Sequence, residues 1–257
     1  MKILNNDFHL NQFLHQLQLS TKRIIMLDYD GTLAPFKQQR DRAYPYPEII
    51  PILDKLMESP KNRIIIISGR TIDSLKKLLS TKTLPELWGC HGLERLPING
   101  KYAIVEIDNK TKEKLTEIEQ WIKKENIVNF TEKKPSGFAF HWRGFGKDKA
   151  QEIRNKVIKR WLGEIKSFGL SFHNFDGGIE IKIDYINKGN AVSSILNENK
   201  GKYYFCYMGD DITDEDAFAK LKGHGLSVLV HSSLRETKAD IWIKPPEELV
   251  GFLQYWL

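Results

Sequence analysis

The stretch "RIIMLDYDGTLAPF" (residues 23–36) runs an apolar segment straight into two aspartates. Asp28 and Asp30 are two positions apart, so an extended backbone places both carboxylates on the same side of the strand. Two like charges at that spacing repel each other, and each resists the loss of its hydration. Because Asp-Gly is also a common turn pair, the stretch alone fits an ordinary turn as well as a functional site. The other strand ends of the chain decide between the two.

Composition bounds the class of protein. The 257 residues suffice for one large domain or for a core domain with a smaller second one. With 41% hydrophobic and 11% aromatic residues the chain can build a packed core, which excludes a disordered protein. The net charge of +6 suits an anionic small molecule and is compatible with nucleic acid. However, no block of five or six like charges occurs, which disfavours nucleic acid.

Cysteine and apolar content exclude several further classes. Cys90 and Cys206 each lie in an apolar, strand-like run, so we predict buried packing residues rather than a disulfide or a zinc site. No run of about 18 apolar residues and no apolar signal core is present. We therefore expect a soluble cytoplasmic protein without a membrane partner.

Strand and helix signals alternate in the first part of the chain and again after residue 184. The predicted helices there are 8–18, 48–58, 71–79, one from 188, and 214–221. The predicted strands are 23–28, 62–70, 87–91, 203–208, 226–230 and 240–244. The isoleucine-rich run at 62–70 is typical of a parallel strand buried on both faces. This alternation predicts a parallel sheet covered by helices.

The middle of the chain has a different pattern. Its strand signals have mixed polarity and two helical patterns separate them; the strands are 101–107, 128–134, 137–143, 170–175 and 178–184, and the helices 111–125 and 147–162. Such a succession predicts an antiparallel sheet with helices on one face. We therefore predict an α/β fold with a Rossmann-like core formed by residues 1–99 and 185–257, interrupted by an inserted α+β domain at 100–184.

Polar clusters occupy the strand and helix ends of the predicted core. Ligands of open parallel sheets gather at the carboxyl ends of the strands. The clusters are Asp28 with Asp30; Ser68, Gly69 and Arg70; Lys188; and Asp210, Asp211 and Asp214. Each alone has an ordinary structural explanation, such as a turn, a helix start or a surface lysine. Their occurrence together favours one shared site.

The chemistry that needs this combination is phosphoryl transfer. Paired acids can hold Mg²⁺, which neutralises their repulsion and lets a carboxylate approach a phosphate. One aspartate can then attack phosphorus. A hydroxyl from Ser68, backbone amides at the start of the helix at 71–79, and the ammonium of Lys188 would bind the other phosphate oxygens.

The four clusters resemble, motif by motif and in order, those of the haloacid dehalogenase (HAD) superfamily of phosphatases. "DYDGTL", "IIIISGR", "NKGNA" and "GDDITDEDAF" match its four motifs. The resemblance implies that Asp28 is the nucleophile and Asp30 the general acid and base. It also implies roles for the remaining members: Mg²⁺ held by Asp28, the backbone carbonyl of Asp30, and Asp210; Asp211 and Asp214 completing the ion's surroundings or positioning Lys188; and phosphate held by Thr32, Ser68, Gly69, Arg70 and Lys188.

The inserted domain resembles the C2-type cap that closes over the site and selects the substrate in this superfamily. "EKKPSGFAFHWR" and "GIEIKIDYINKG" resemble the caps of trehalose-6-phosphate phosphatases. The resemblance implies a set of sugar-contacting or cap-supporting residues: Glu132, Lys134, His141, Arg143, Glu180 and Lys182. Ile183 departs from the family pattern, which has proline after the residue equivalent to Lys182.

The resemblance implies Mg²⁺-dependent hydrolysis of trehalose 6-phosphate in trehalose biosynthesis. We expect a monomer, and whether it acts alone or in a functional partnership with a trehalose-phosphate synthase stays open. Three alternatives stay open at this point. A related phosphatase could act on sucrose phosphate, mannosylphosphoglycerate or a phosphohexose. A phosphorylated receiver protein also uses an acidic pair and a lysine, although receivers are half this length. A basic nucleic-acid module would leave the four clusters unexplained.

Overall fold

The computed structural model describes residues 1–37, 39–175, 177–201 and 203–257. The chain divides into two compact units, Met1–Ala103 with Asn187–Leu257, and Ile104–Ile186. In chain order, the strands are β1 (Lys2–Ile3), β2 (Arg23–Leu27), β3 (Asn62–Ile67), β4 (Glu86–Gly89), β5 (Glu94–Leu96), β6 (Ala103–Ile104), β7 (Thr131–Lys134), β8 (Gly137–His141), β9 (Leu170–Phe175), β10 (Gly178–Ile183), β11 (Tyr204–Gly209), β12 (Gly225–Val230) and β13 (Ile241–Ile243). The α-helices are α1 (Leu10–Leu19), α2 (Ile49–Glu58), α3 (Ile72–Leu78), α4 (Asn109–Lys124), α5 (Lys147–Trp161), α6 (Lys188–Glu198), α7 (Glu215–Leu221) and α8 (Glu247–Gln254).

The first unit is built on a predominantly parallel sheet. The strand order is β1-β13-β12-β11-β2-β3-β4-β5-β6. The six strands from β13 to β4 pair in parallel, and β1 and β5 pair antiparallel beside them. Short connections cannot join parallel neighbours, so helices cross over the faces of the sheet. This arrangement confirms the predicted α/β fold.

Both faces of this sheet are buried because its central strands alternate between two apolar layers. Ile25 and Leu27 of β2 lie in a cluster with residues of α1, α2, α3 and α8. Ile24 and Met26 lie in a second cluster with residues of α6 and α7. A strand buried on both sides reads as a continuous apolar run, which explains the RIIML and NRIIII signals.

The topology concentrates strand ends at one place. From β2 the chain proceeds to β3 and β4 on one side, whereas β11 pairs with β2 on the other side. Asp28 follows β2 and Asp210 follows β11, and the Asp28 N–H donates to the Met208 carbonyl at 2.8 Å. The carboxyl ends of β2 and β11 therefore flank the switch point at which open α/β sheets bind their ligands.

The second unit has a four-stranded antiparallel sheet of its own, in the order β7-β8-β10-β9. Cross-strand register places Glu132, Ala139, Glu180 and His173 in one row across the four strands. The alternate positions of the two central strands are apolar, Phe138 and Phe140 on β8 and Ile179, Ile181 and Ile183 on β10. The ring of Phe140 lies edge-on to Trp121 of α4 at 6.4 Å. One face of this sheet is therefore polar, while the other packs on helices.

One predicted strand is wrong, and three elements were not anticipated. The run at 101–107 contributes only β6, which joins the nine-stranded sheet rather than the antiparallel one. Its alternation is misleading because Tyr102, Ile104 and Val105 are each about half exposed. The unanticipated elements are β1, β5 and α8.

The structure also bears on the cysteines and on membrane-spanning helices. Both cysteines are buried, as predicted, and neither forms a disulfide. Among the described residues, no helix combines the length and the apolar character needed to cross a membrane.

The core of the second unit yields a stability prediction. Trp161 is fully buried and stands edge-on to the half-buried Trp121 at 5.7 Å. We expect Trp161→Ala to lower the free energy of unfolding by about 3–5 kcal/mol, because it empties a large volume. The buried Trp161 Nε1 has no hydrogen-bond partner among the described residues. Trp161→Phe keeps an aromatic ring and gives up no hydrogen bond, so it should cost clearly less than Trp161→Ala. Denaturant unfolding of both variants tests this, and equal losses would contradict it.

Candidate active site

A tight turn fixes the first acidic pair. After Asp28 the backbone folds back so that the Gly31 N–H donates to the Ala34 carbonyl at 2.7 Å. Gly31 has φ +85°, a conformation that costs glycine little. A Cβ at Gly31 would lie 2.1 Å from Oδ2 of Asp210. The glycine thus lets the Asp210 carboxylate pack directly against the turn that carries Asp28.

Among the described residues, Lys188 is the only cationic side chain that forms ion pairs with the buried carboxylates of Asp28 and Asp214. It begins α6, whose start is held by reciprocal hydrogen bonds between Asn187 and Asn190. Its Nζ lies 2.7 Å from Oδ1 of Asp28 and 2.7 Å from Oδ1 of Asp214. The ammonium is almost completely buried, so both ion pairs are shielded from water.

Asp214 has all its bonding capacity directed at the protein. Its Oδ1 accepts from Lys188 and, at 2.5 Å, from the Tyr207 hydroxyl. Its Oδ2 accepts from the backbone N–H groups of Asp210 and Asp211 at 3.2 and 3.0 Å. The carboxylate therefore holds the lysine and the acidic loop together.

Arg235 holds the same loop from its backbone side. Its guanidinium donates to the Asp210 carbonyl at 3.1 and 3.0 Å and to the Asp211 carbonyl at 2.9 Å. Its Nη1 also pairs with Glu215 of α7 at 2.5 Å. The loop after β11 is thus held between Asp214 on one side and Arg235 on the other. Neither Tyr207 nor Arg235 belongs to a recognisable motif, so the sequence did not single them out.

Burial and mutual repulsion set the protonation behaviour of the cluster. Burial raises the pKa of Asp28 to about 7, although the neighbouring Lys188 acts in the opposite direction. Burial, together with the charges of Asp28 and Asp214, raises the pKa of Asp210 well above its usual range. Burial opposes the charged form of Lys188, but Asp214 and Asp28 together raise its pKa above the ordinary value. The single positive charge of Lys188 therefore cannot balance the three carboxylates of Asp28, Asp210 and Asp214 when all are ionised.

These carboxylates fit a divalent cation. Oxygens of Asp28, Asp210 and Asp214 lie within 4.8 Å of one another, and all three residues are buried. Oδ1 of Asp210 is buried without a hydrogen-bond partner among the described residues. An orphaned carboxylate oxygen in such a place is costly unless a cation takes it, and oxygen donors are those that Mg²⁺ prefers. Since Asp214 is already saturated, Asp28 and Asp210 are the better direct ligands.

The other two predicted acids lie outside this group. Asp30 makes a two-pronged ion pair with Arg70, at 2.7 Å to Nε and 2.6 Å to Nη2. Asp211 is exposed, and its carboxylate accepts from the Ile212 N–H at 2.7 Å. Asp30 and Arg70 are thus brought together, although the guanidinium was expected on the phosphate.

The predicted phosphate-binding groups beside β3 lie as follows. Ser68 is buried at the end of β3, and its Oγ accepts from the Arg70 N–H at 3.2 Å. Thr32 is also buried, and its Oγ1 has no partner among the described residues. Thr32, like Asp28, follows β2, and Ser68 follows the neighbouring strand β3.

The start of α3 differs from the expectation that its amides receive phosphate. The Ile72 N–H donates to Glu94 at 3.0 Å, and the Ser74 N–H donates to the Thr71 hydroxyl at 3.2 Å. A phosphate at this helix end would compete with the buried Glu94 carboxylate and be repelled by it. Glu94 is the first residue of β5, a strand that the sequence pattern did not reveal.

The second unit brings its predicted residues onto one polar sheet face. Lys134 and Glu180 form a buried ion pair at 3.0 Å, and Nε2 of His141 lies 2.9 Å from Glu132. Two further predicted residues complete the set, Lys182 on β10 and Arg143 just beyond β8; the Arg143 side chain packs against Gly177. Glu132, Lys134, Glu180 and Lys182 alternate along their strands, as residues of one face do. His173 of β9, opposite Glu180, was not predicted for this face.

Known proteins resemble this chain over nearly its full length. The trehalose-phosphatase family model matches residues 26–241. A Dictyostelium discoideum protein named alpha,alpha-trehalose-phosphate synthase [UDP-forming] B is 32% identical, over 90% of this chain and 30% of its own length. The Escherichia coli trehalose-6-phosphate phosphatase is 28% identical, over 88% of this chain and 86% of its own length. The C-terminal domain of the C. albicans trehalose-6-phosphate phosphatase has the same fold, with a TM-score of 0.78 at 23% identity, covering 100% of this chain and 99% of that domain.

The lengths of these proteins differ. The chain spans about 30% or less of the length of the first four curated relatives that it matches. The family model nevertheless covers the motif residues of the first unit and the whole second unit. The chain belongs to the trehalose-phosphatase family.

Proposed function

We propose that this chain is a Mg²⁺-dependent phosphomonoester hydrolase that converts trehalose 6-phosphate to trehalose and phosphate. The observation that carries the proposal is the buried cluster of Asp28, Lys188, Asp210 and Asp214 at the switch point of the sheet. The chain's membership of the trehalose-phosphatase family supports trehalose 6-phosphate as the substrate.

Asp28 is the proposed nucleophile. Its carboxylate oxygen forms a bond to phosphorus while the bond from phosphorus to the sugar oxygen breaks, which leaves an aspartyl-phosphate. Lys188 holds one oxygen of Asp28 at 2.7 Å and so orients the other. A water molecule then attacks phosphorus and releases Asp28 and phosphate.

Asp30 is the proposed acid and base. It gives its proton to the departing sugar oxygen and takes one from the attacking water, which closes the proton balance. Arg70 engages both of its carboxylate oxygens. Each of these oxygens keeps a second lone pair for a proton, so Arg70 orients Asp30 without blocking the transfer.

Asp28 and Asp210 are the proposed ligands of Mg²⁺, with the backbone carbonyl of Asp30 as a third. The ion would neutralise the carboxylates and the phosphate oxygens. Asp214 and Arg235 act on the protein side by holding the loop that carries Asp210.

The second unit is the proposed selector of the sugar. Carboxylates and ammonium groups on one sheet face can hydrogen-bond the many hydroxyls of a disaccharide. A ligand that lacks these hydroxyls would leave the polar groups of the protein unpaired and would therefore bind less well. Lys134, Glu180 and Glu132 are the proposed glucose contacts, with Lys182, His141 and Arg143 supporting them.

A synthase is the proposed source of the substrate, because one relative bears the name of a trehalose-phosphate synthase. The monomeric state and the cytoplasmic location stay predictions. Phosphate release from a panel of sugar phosphates tests the substrate: a preference for sucrose phosphate, mannosylphosphoglycerate or a phosphohexose would replace trehalose 6-phosphate within the same chemistry.

Asp28→Asn tests the nucleophile. We expect phosphate release to fall by at least about a thousandfold, because an amide does not attack phosphorus and binds Mg²⁺ poorly. Circular dichroism checks that the variant is folded. Asp216→Asn is the matched control, since Asp216 is exposed on α7 beside the same acidic run and should leave turnover unchanged. Activity of the Asp28 variant within about tenfold of the wild type would refute the assignment.

Chelation tests the ion. EDTA should stop phosphate release and added Mg²⁺ should restore it. Asp210→Asn should raise the Mg²⁺ concentration needed for half-maximal activity, because an orphaned carboxylate oxygen is lost. Asp211→Asn should raise it less, since that side chain bonds to the Ile212 amide. Full activity after exhaustive chelation, or equal shifts in both variants, would contradict this ligand assignment.

Glu180→Gln tests the sugar contacts. Glutamine preserves the size of the side chain and an oxygen acceptor, whereas alanine would remove the group that pairs with the buried ammonium of Lys134. A charged hydrogen bond to a hydroxyl is worth roughly 1.5–3 kcal/mol, so kcat/KM for trehalose 6-phosphate should fall about 10- to 100-fold. Hydrolysis of a small aryl phosphate should change less than about threefold. Equal losses on both substrates would place Glu180 in the chemistry or the fold, and no loss on either would remove it from the sugar site.

A further inference from the structure

The segment "CHGLE" (residues 90–94) adopts an unusual backbone that the proposed mechanism does not use. Immediately after β4, three consecutive residues have left-handed φ angles: Cys90 at +48°, His91 at +59° and Gly92 at +110°. For Cys90 and His91 such angles are unfavourable, because the Cβ atom crowds the backbone. A strained turn of this kind persists only where its surroundings enforce it, and such turns cluster at functional sites.

One side of this turn is bound to the Ser68–Arg70 segment. The Cys90 N–H donates to the Arg70 carbonyl and the His91 N–H to the Ser68 carbonyl, both at 2.8 Å. The imidazole stands against Gly69: a Cβ there would lie 2.8 Å from both Cε1 and Nε2 of His91. Glycine is therefore needed at 69 for the close approach of the ring.

The other side of the turn meets the start of α6. A Cβ at Gly92 would lie 3.2 Å from the Ala191 Cβ and 3.5 Å from the Asn187 carbonyl oxygen. Asn187 caps the helix whose first residue is Lys188. The turn thus separates two segments that carry proposed phosphate ligands, and it touches both.

Glu94 holds the turn in this conformation. One of its oxygens accepts from the Ile72 N–H at 3.0 Å and from the Cys90 thiol at 3.3 Å. The other accepts from the Tyr102 hydroxyl at 2.8 Å. The carboxylate is buried, so these hydrogen bonds do not compete with water.

We propose that the Cys90–Gly92 turn is a spacer that sets the separation of Ser68 from Lys188, and that His91 is the positioning residue within it. Its ring packs on Gly69 and keeps the Ser68 hydroxyl and the Lys188 ammonium at the span that a phosphate requires. The proposal rests on the proposed phosphatase function. A misplacement of about 1 Å among such groups can cost about a hundredfold in rate.

His91→Asn is the variant of choice, because asparagine tolerates the left-handed backbone and removes the ring from Gly69. We expect kcat/KM to fall between about 10- and 100-fold for trehalose 6-phosphate and for a small aryl phosphate alike. The inhibition constant of inorganic phosphate should rise by a similar factor, and the Mg²⁺ requirement should stay as in the wild type. If His91 contributed only to stability, His91→Asn would leave the inhibition constant of inorganic phosphate unchanged.

Gly69→Ala completes a double-mutant cycle. Alone it drives a methyl group into the imidazole and should cost more than His91→Asn; in the His91→Asn background its additional cost should be at least about tenfold smaller. Rates are corrected for the folded fraction measured by circular dichroism at the assay temperature. Additive effects, an unchanged phosphate inhibition constant, or a loss explained wholly by the unfolded fraction would each overturn the proposal.

Calorimetric titration of inorganic phosphate with Mg²⁺ keeps this inference separate from the proposed function. If the wild type releases no phosphate from any monoester, the proposed function fails. Weaker phosphate binding by His91→Asn would still support the spacer, whereas equal binding by the variant and the wild type would overturn it.

Discussion

The position of one ammonium group among three buried carboxylates governs the rest of the site. Lys188 lies 2.7 Å from both Asp28 and Asp214, while Asp210 stands close by with an oxygen that no described group satisfies. Removing charges from water is costly, and one cation cannot offset three anions. The arrangement is therefore more strained without a ligand than with one, as expected of a site that binds a cation and then a phosphate.

The surrounding fold keeps this unfavourable cluster assembled. Two parallel strands, β2 and β11, deliver Asp28 and Asp210 to neighbouring positions, and no flexible linker separates either aspartate from its strand. Asp214 and Arg235 then hold the loop after β11 through its backbone amides and carbonyls. Because these bonds involve the main chain, a conservative substitution of the Asp210 side chain leaves them in place. Conservative substitutions at Asp210 should therefore report on chemistry rather than on folding.

The sequence predicted the polar strand ends well, because each one interrupts a long apolar run within a few residues. It could not predict partners that are remote along the chain, such as Arg235 for the Asp210 carbonyl or Tyr207 for Asp214, since neither residue differs locally from any other surface arginine or core tyrosine. The helix start at α3 shows a second limit. An exposed helix end suits an anion in general, but here Glu94 occupies it, and β5, which places Glu94 there, is too short to give a periodic signal. The run at 101–107 shows the converse case, in which alternation occurs without burial.

The polar face of the second sheet follows from a different balance. A buried ion pair such as Lys134 with Glu180 adds little stability compared with apolar residues of similar size, so stability alone does not explain it, and its proposed role is to recognise the sugar. Ile183, which stands where the family pattern has proline, leaves this polar face unchanged. Its N–H donates to the Ser136 carbonyl at 3.0 Å, a bond that proline could not make, and its side chain is buried on the face opposite Lys182. Isoleucine thus adds one main-chain hydrogen bond at the end of β10 and leaves the alternation of Glu180 and Lys182 unchanged. The change of residue type at 183 therefore alters how the strand ends, while the groups proposed to contact the sugar keep their places.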